Sequence, residues 1–210
     1  MATRNTTSRS SGSGAKTNVT SMLKADHKKV KKAFKDFEKL DPQEDPEGCQ
    51  ALVQQTLGEV EVHAEIEERI FYPAARGAIK EEDLVDEAEV EHMTAKVLIE
   101  QLKGMRPDDQ KYAATFKVLG EYLNHHIREE EEEMFKKLTA SGAEWDSVLE
   151  QMQAQRQQLM EEKGLPAETD SSNARSMQRR ESGSGDSPRG RSESRPQAAG
   201  KGSRSSTNKG

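Results

Sequence analysis

Apolar residues recur through the middle of the chain at the alternating three- and four-residue steps of helices that each bury one face. Between Val19 and Leu40 the stripe reads Leu23, His27, Val30, Phe34 and Phe37, and Asp41-Pro42 ends it. Asp45-Pro46 offers an N-cap followed by proline at the first helical position. The helix it opens aligns Thr56, Val60, His63, Glu67, Ile70 and Ala74 before running out at Arg76-Gly77. A third stretch, Glu82 to Lys103 with Gly104 as the residue past its end, aligns Val85, Ala88, His92, Ala95, Ile99 and Leu102. The fourth follows Pro107-Asp108 and aligns Tyr112, Phe116, Leu119, Leu123, His126, Glu130 and Met134. Short links between four such helices predict an all-α fold, an up-down-up-down four-helix bundle. Ser141 and Glu144 have capping-box spacing ahead of an additional C-terminal helix. Its stripe of Trp145, Val148, Leu149, Met152 and Leu159 is expected to pack on the end of the bundle, and Gly164-Leu165-Pro166 stops it. Alternating strand patterns are absent from the sequence.

Composition divides the chain further. Of 210 residues, 31% are hydrophobic and 33% charged, too few apolar residues for the whole length to join a core. The ends, 1–17 and 165–210, are rich in Ser, Gly and Arg and are expected to be disordered, because they cannot bury enough apolar surface to offset the entropy of ordering. The predicted organisation is therefore a tail over 1–17, the bundle over 18–140, an accessory helix over 141–164 and a basic tail over 165–210. Residues 18 to 163 hold 33 acids against 20 bases, and residues 171 to 210 hold 3 against 9. An acidic bundle argues against nucleic acid as its partner, leaving only weak contact with RNA, DNA or an acidic surface to the basic tail. Cys49 is the only cysteine, which excludes internal disulfides and a tetrathiolate zinc site and points to a reducing compartment. No apolar run approaches the roughly 18 residues of a membrane span, and the N-terminal stretch lacks the apolar segment of a secretory signal. A cytoplasmic location without membrane contact is expected, with a mitochondrial-type transit peptide as the weaker alternative.

The candidate chemistry lies on the stripes themselves. Four of the five histidines, together with Glu67 and Glu130, occupy positions that the periodicity turns inward. A single histidine there is ordinary core, but two uncompensated buried carboxylates cost several kcal/mol each, so they must be paired or bind a cation. His63 with Glu67, and His126 with Glu130, stand one turn apart on one face and can present an imidazole nitrogen and a carboxylate to a shared centre. Four imidazoles and two carboxylates exceed one tetrahedral zinc and suit two borderline cations bridged by the carboxylates. Of roughly twelve coordination positions on two such ions, about two would stay open for a small ligand. The pattern also repeats. "HAEIEERIFYP" from His63 and "HIREEEEEMF" from His126 share a His, Glu four and five later, and an apolar pair eight and nine later, 63 residues apart. His126 rather than His125 continues the fourth stripe and matches His63. Glu68 and Glu131, one step beyond the inferred ligands, read either as part of the site, accepting from a histidine or serving as occasional extra ligands, or as solvated acids. The aromatics Phe34, Phe37, Phe71, Tyr72, Phe116 and Phe135 read first as core.

The four segments "ADHKKV", "HAEIEERIFYP", "EVEHMTAK" and "HHIREEEEEMF", in this order, resemble the hemerythrin-like (HHE) cation-binding domain over about residues 19 to 140. The resemblance implies two iron ions with an oxo or hydroxo bridge inside a four-helix bundle. Carried over residue by residue, it implies His27, His63, His92 and His126 as imidazole ligands and Glu67 and Glu130 as bridging carboxylates. The chain departs from oxygen-carrying hemerythrins, which have His-x-x-x-His on the third helix: Lys96 stands four residues after His92, leaving one ligand fewer. Expected partners are dioxygen, peroxide, nitric oxide or iron itself. No catalytic residue or added redox module is visible, which favours binding or sensing. A di-iron enzyme that removes peroxide or nitric oxide, or repairs iron–sulfur clusters, is the alternative. A ferritin-like iron oxidase ranks below both, since only Glu89 with His92 fits its Glu-x-x-His pattern. A plain helical scaffold with a hydrogen-bonded polar core would bind no metal.

Overall fold

The computed structural model describes residues 11–140 and 142–166. Those residues form five helices and no strand. Helix α1 spans Ser11–Phe37, α2 Pro46–Ile66, α3 Asp83–Lys103, α4 Tyr112–Glu129 and α5 Trp145–Glu162. Two of them continue past their stated ends. After Ile66 the chain takes one π-helical turn, Glu67–Phe71, and a last α-helical piece, Tyr72–Arg76. After Glu129 it does the same through Glu130–Met134 and Phe135–Lys137.

Two apolar clusters show how the rods run. Leu23 of α1, Ile66 and Phe71 from the end of α2, Val85 and Ala88 from the start of α3, and Met134 and Phe135 beyond α4 share one cluster. Val30 and Phe34, Val53 and Leu57, Ile99 and Leu102, and Tyr112 and Phe116 share the other. Early parts of α1 and α3 thus meet late parts of α2 and α4, as the up-down-up-down bundle requires. The polar positions fall between the clusters on every rod, so the bundle has two dry ends and one polar layer across its middle.

Several boundaries differ from the sequence expectation. Helix α1 begins at Ser11 rather than near Val19, so 11–17 belongs to the folded body. Ala15 and Val19 extend the Leu23 stripe by two turns and are buried, and Lys16 Nζ donates to the carbonyl of Leu138 at 3.1 Å. These contacts supply the burial that the Ser/Gly composition seemed to deny. At its other end α1 stops at Phe37, not Leu40. Asp45 caps α2 as expected, accepting from the Gly48 N–H at 2.9 Å with Pro46 at the first position. Gly104 ends α3 at φ −84°, without a left-handed turn. Past Glu67 the buried face is Phe71, Tyr72 and Ala75, while Ile70 and Ala74 are only partly buried. The π-turn adds one residue and so advances the face by one position.

Helix α5 starts at Trp145 with Glu144 as a cap that makes no side-chain bond. Ser141, the expected partner in a capping box, lies outside the described residues, as do 1–10 and 167–210 of the two tails expected to be disordered. Nor does α5 sit on the bundle's end. Eighteen residues make a rod of about 27 Å, and it lies along α1 and α2 with Trp145, Val148, Met152 and Leu159 buried. Arg156 reaches Asp26 and Lys163 reaches Glu61. Gly164, at φ 63°, ends it: the Gly164 and Leu165 N–H groups donate back to Glu161 and Met160, a geometry open to glycine. No described helix is long and apolar enough to cross a membrane.

Candidate metal centre

All six predicted site residues lie in the polar layer, and each is at most 7% exposed. Their positions follow from the stripes: His27 is one turn past Leu23, His92 one turn past Ala88, and each His-x-x-x-Glu pair spans the last turn before a π-turn. The donor atoms form two groups sharing Glu67. His27, His63, Glu67 and Glu130 gather ligand atoms within 4.8 Å of one another, and so do Glu67, His92 and His126. His27 Nε2 stands 3.1 Å from His63 Nε2, and His92 Nε2 stands 3.1 Å from His126 Nε2. Glu67 Oε2 lies 3.1 Å from His63 Nε2 and 3.5 Å from His92 Nε2, spanning the two groups. Glu130 Oε2 spans them in the same way, 3.2 Å from His27 and 3.6 Å from His126.

The outward nitrogens explain this convergence. Asp26 of α1 faces His63 Nδ1 at 3.3 Å, Glu68 after α2 faces His92 Nδ1 at 3.0 Å, Glu91 of α3 faces His126 Nδ1 at 2.8 Å, and Glu131 after α4 faces His27 Nδ1 at 2.9 Å. A carboxylate acceptor holds the proton on Nδ1 and leaves the lone pair on Nε2. Four lone pairs therefore aim at one centre, and each acid serves the histidine of the next helix round the bundle. Lysines four residues after two of the histidines repeat as well: Lys96 donates to both oxygens of Glu68 at 2.6 Å, and Lys31 lies 3.5 Å from Glu131.

A bundle held only by hydrogen bonds would not leave this centre as it stands. Both oxygens of Glu67 and Oε2 of Glu130 are buried and accept no hydrogen bond. Such groups cost about 1–3 kcal/mol each when neutral and more when charged. Burial, and then the charge of Glu130, push the Glu67 carboxyl well above its usual range. Burial works on Glu130 too, but the His126 and His27 imidazoles outweigh it and hold that group low. Burial and the neighbouring His27 lower His63, and burial lowers His92 despite its bond to Glu68. Outside the centre, the bond from His92 and the Lys96 ammonium bring Glu68 down to about 2. Two carboxylates and four imidazole lone pairs, crowded and unsatisfied, form a donor set suited to borderline first-row cations. The residues present fit a pair of such ions.

Several participants were not read from the sequence as such. Tyr72, taken there as core, is buried and donates its hydroxyl to Glu130 Oε1 at 3.0 Å, with its oxygen 3.3 Å from His92 Nε2. Its oxygen adds a seventh potential donor on the His92 side. Phe135 fills the matching place on the other side, stacked on His27 at 6.1 Å. Asp26 and Glu91 were also missed, although a signal existed: each immediately precedes a lone histidine, 65 residues apart. Glu68 and Glu131 act as histidine acceptors, the first of the two readings left open for them. His125 is 46% exposed and bonds Glu129 at 3.0 Å, away from the centre. Cys49 is buried far from it, its thiol pushed up chiefly by burial.

Comparison with known proteins agrees with this geometry. The family model described as hemerythrin HHE cation binding domain matches residues 18–138. A DNA nickase from Nostoc sp. strain PCC 7120 is 29% identical over 118 residues, which are 56% of this chain and 32% of that protein. The chain thus spans about a third of that relative. Among solved structures, a hemerythrin HHE cation binding domain-containing protein from Mycobacterium kansasii matches with a TM-score of 0.56 at 24% identity, over 65% of this chain and 83% of the other. That likeness is one of fold.

Proposed function

The chain belongs to the hemerythrin HHE cation-binding family, and we propose that its cations are two iron ions with an oxo or hydroxo bridge, held to bind or sense dioxygen, peroxide or nitric oxide. In this reading His27 and His63 would hold one ion and His92 and His126 the other, with Glu67 and Glu130 as the carboxylates placed between the two groups. The observation that carries it is the set of orphaned oxygens on Glu67 and Glu130 beneath four Nε2 lone pairs. When bound, an iron pair supplies one-electron chemistry and open positions for a small ligand. The chain's own residues do the rest: four carboxylates fix the imidazoles, Phe71, Met134 and Phe135 keep water from one side, and Tyr72 holds a proton against Glu130.

That proton gives a second reading some weight. A buried phenol beside the centre is placed to protonate a bound ligand, which favours turnover of peroxide or nitric oxide over simple binding. DNA cleavage belongs to the Nostoc relative, of which this chain matches a third; the acidic bundle disfavours DNA as its own partner.

Anaerobic iron loading tests the proposal. It expects two irons per chain, ligand-dependent charge-transfer bands when oxygen, peroxide or nitric oxide is added, and sharply reduced iron in Glu67→Ala and Glu130→Ala compared with Glu129→Ala and Glu132→Ala. Equal iron in all four variants would sink the assignment. Reversible oxygen bands support binding, and catalytic loss of peroxide or nitric oxide supports the enzyme.

A further inference from the structure

The centre opens towards solvent between two of the rods. A cavity of about 440 Å3 opens between α2 and α3 and reaches His63, His92 and His126. Its wall combines aliphatic side chains, Val60, Ala95, Ile99 and Leu123 among them, with charged ones that include Glu61, Glu100 and Lys96. At the mouth, Lys96 from α3 crosses to Glu68 from the π-turn after α2. The matching pair, Lys31 with Glu131, holds the other half of the centre in the same way but does not line this cavity. Exposure of the two pairs is nearly equal, 48% and 29% for Lys96 and Glu68 against 36% and 28% for Lys31 and Glu131. The cavity is what distinguishes them.

We propose that the cleft between α2 and α3 is the port by which small ligands reach the centre, and that Lys96 is a specificity-determining residue there, favouring small inorganic anions. The inference rests on the iron reading above. Charge at the mouth supports it. Glu61 lies between Lys103 and Lys163, and Glu65 carries Arg69 at 2.8 Å, so those charges are neutralised locally. Glu68 is different, because it divides its negative charge between Lys96 and the Nδ1–H of His92. Lys96 stays 48% exposed and faces the cavity while it holds Glu68. An anion arriving there meets a positive charge on a path partly walled by aliphatic side chains, where screening is weaker than in open water. An uncharged ligand gains nothing from the same residue.

Wild type, Lys96→Gln, Lys96→Arg and Lys31→Gln, each loaded with iron and assayed for metal content, separate the possibilities by azide titration in the visible spectrum. Lys96→Gln is expected to raise the azide Kd about two- to fivefold, the range for one half-exposed charge, and to flatten its salt dependence. Lys96→Arg and Lys31→Gln should bind azide as wild type does. Nitric oxide added to the ferrous proteins should bind all four alike. A second readout needs no metal: in iodide-soaked crystals of the metal-free chain, anomalous peaks are expected in the cleft beside Lys96 and none beside Lys31. Fully loaded Lys96→Gln that binds azide unchanged, or Lys31→Gln that loses as much, overturns the proposal, as does iodide at Lys31 to the same extent. A chain that takes up no iron overturns the iron reading instead, and the iodide result still decides the port. Should Lys96→Gln not fold, Lys31→Gln, Lys96→Arg and the wild-type iodide map carry the decision.

Discussion

Glu67→Gln should change the metal-free and metal-loaded proteins in opposite directions. Glutamine keeps the shape of Glu67 and removes its charge. Without metal, both Glu67 oxygens are buried and unpaired, and burial with the nearby Glu130 charge pushes its carboxyl well above the range of an unfolded chain. A carboxyl raised in the folded state contributes stability that is fully present below the unfolded value and is lost as pH rises through the folded value. Near neutral pH the wild-type metal-free protein therefore carries a penalty that the amide relieves. The amide can instead donate to the adjacent Glu130 carboxylate, a bond worth about 1.5–3 kcal/mol, and at about 2–4 °C per kcal/mol for a domain of this size the metal-free melting temperature should rise by roughly 3–12 °C. The gain should shrink as the pH falls towards the range of an unfolded carboxyl, where keeping Glu67 protonated no longer costs stability. In the loaded protein the sign reverses, because an amide cannot bridge two cations as a carboxylate does. Calorimetry of chelated and iron-loaded samples at pH 5 and pH 7.5, with metal content measured on the same samples, reads both effects. A variant that is less stable in both states, or that loads iron like wild type, refutes the reasoning.

Chelating the wild-type protein should lower its melting temperature by roughly 5–11 °C, the equivalent of metal present at about 100 times its dissociation constant; an unchanged transition would favour a metal-free polar core. Glu91→Gln removes the carboxylate acceptor from His126 Nδ1 at 2.8 Å and should weaken metal affinity about 10- to 100-fold. Exposed Glu132→Gln, measured by competition with a chelator, should change it little. Trp145→Ala should cost about 3–5 kcal/mol, seen in urea unfolding, because the indole is buried and donates to the Thr139 carbonyl at 3.0 Å.

The bundle was legible because its apolar stripes keep helical spacing through the polar layer, and the six inward residues sit on those same stripes. Composition misled at Ser11 to Thr17, where Ser and Gly obscured two buried positions, Ala15 and Val19, that prolong the first stripe. The π-turns were not legible as such, since an inserted residue changes hydrogen bonding without changing residue type. Only the second left a trace, in Glu133, a charged residue seven positions after His126 where an unbroken helix would want an apolar one; the first carries Ile70 at the matching position and gives no such sign. Asp26 and Glu91 escaped for another reason. Each lies beside a stripe rather than on it, and its partner is on the next helix, a relation that periodicity within one helix cannot carry.

The ring of acids explains why the ligand positions need all four helices at once. Asp26 of α1 fixes His63 of α2, Glu68 beyond α2 fixes His92 of α3, Glu91 of α3 fixes His126 of α4, and Glu131 beyond α4 fixes His27 of α1. Neither hairpin can orient its own full set, because each depends on the other for one of the two acids that hold its histidines. Repeating one hairpin pattern twice therefore produces a closed unit rather than two independent half-sites. The π-turns fall where the ring has to cross from one rod to the next. There Glu67 and Glu130 turn inward while the adjacent Glu68 and Glu131 turn to a neighbouring helix, and the inserted residue brings Phe71 and Met134 under the carboxylates. Differences between the halves then stand out against a shared frame. Tyr72 opposes Phe135, Lys96 borders a cavity that Lys31 does not, and Asp26 alone among the four acids is also held by Arg156 of α5. With ligands and acids matched in type, these three contacts are where the two halves of the polar layer differ.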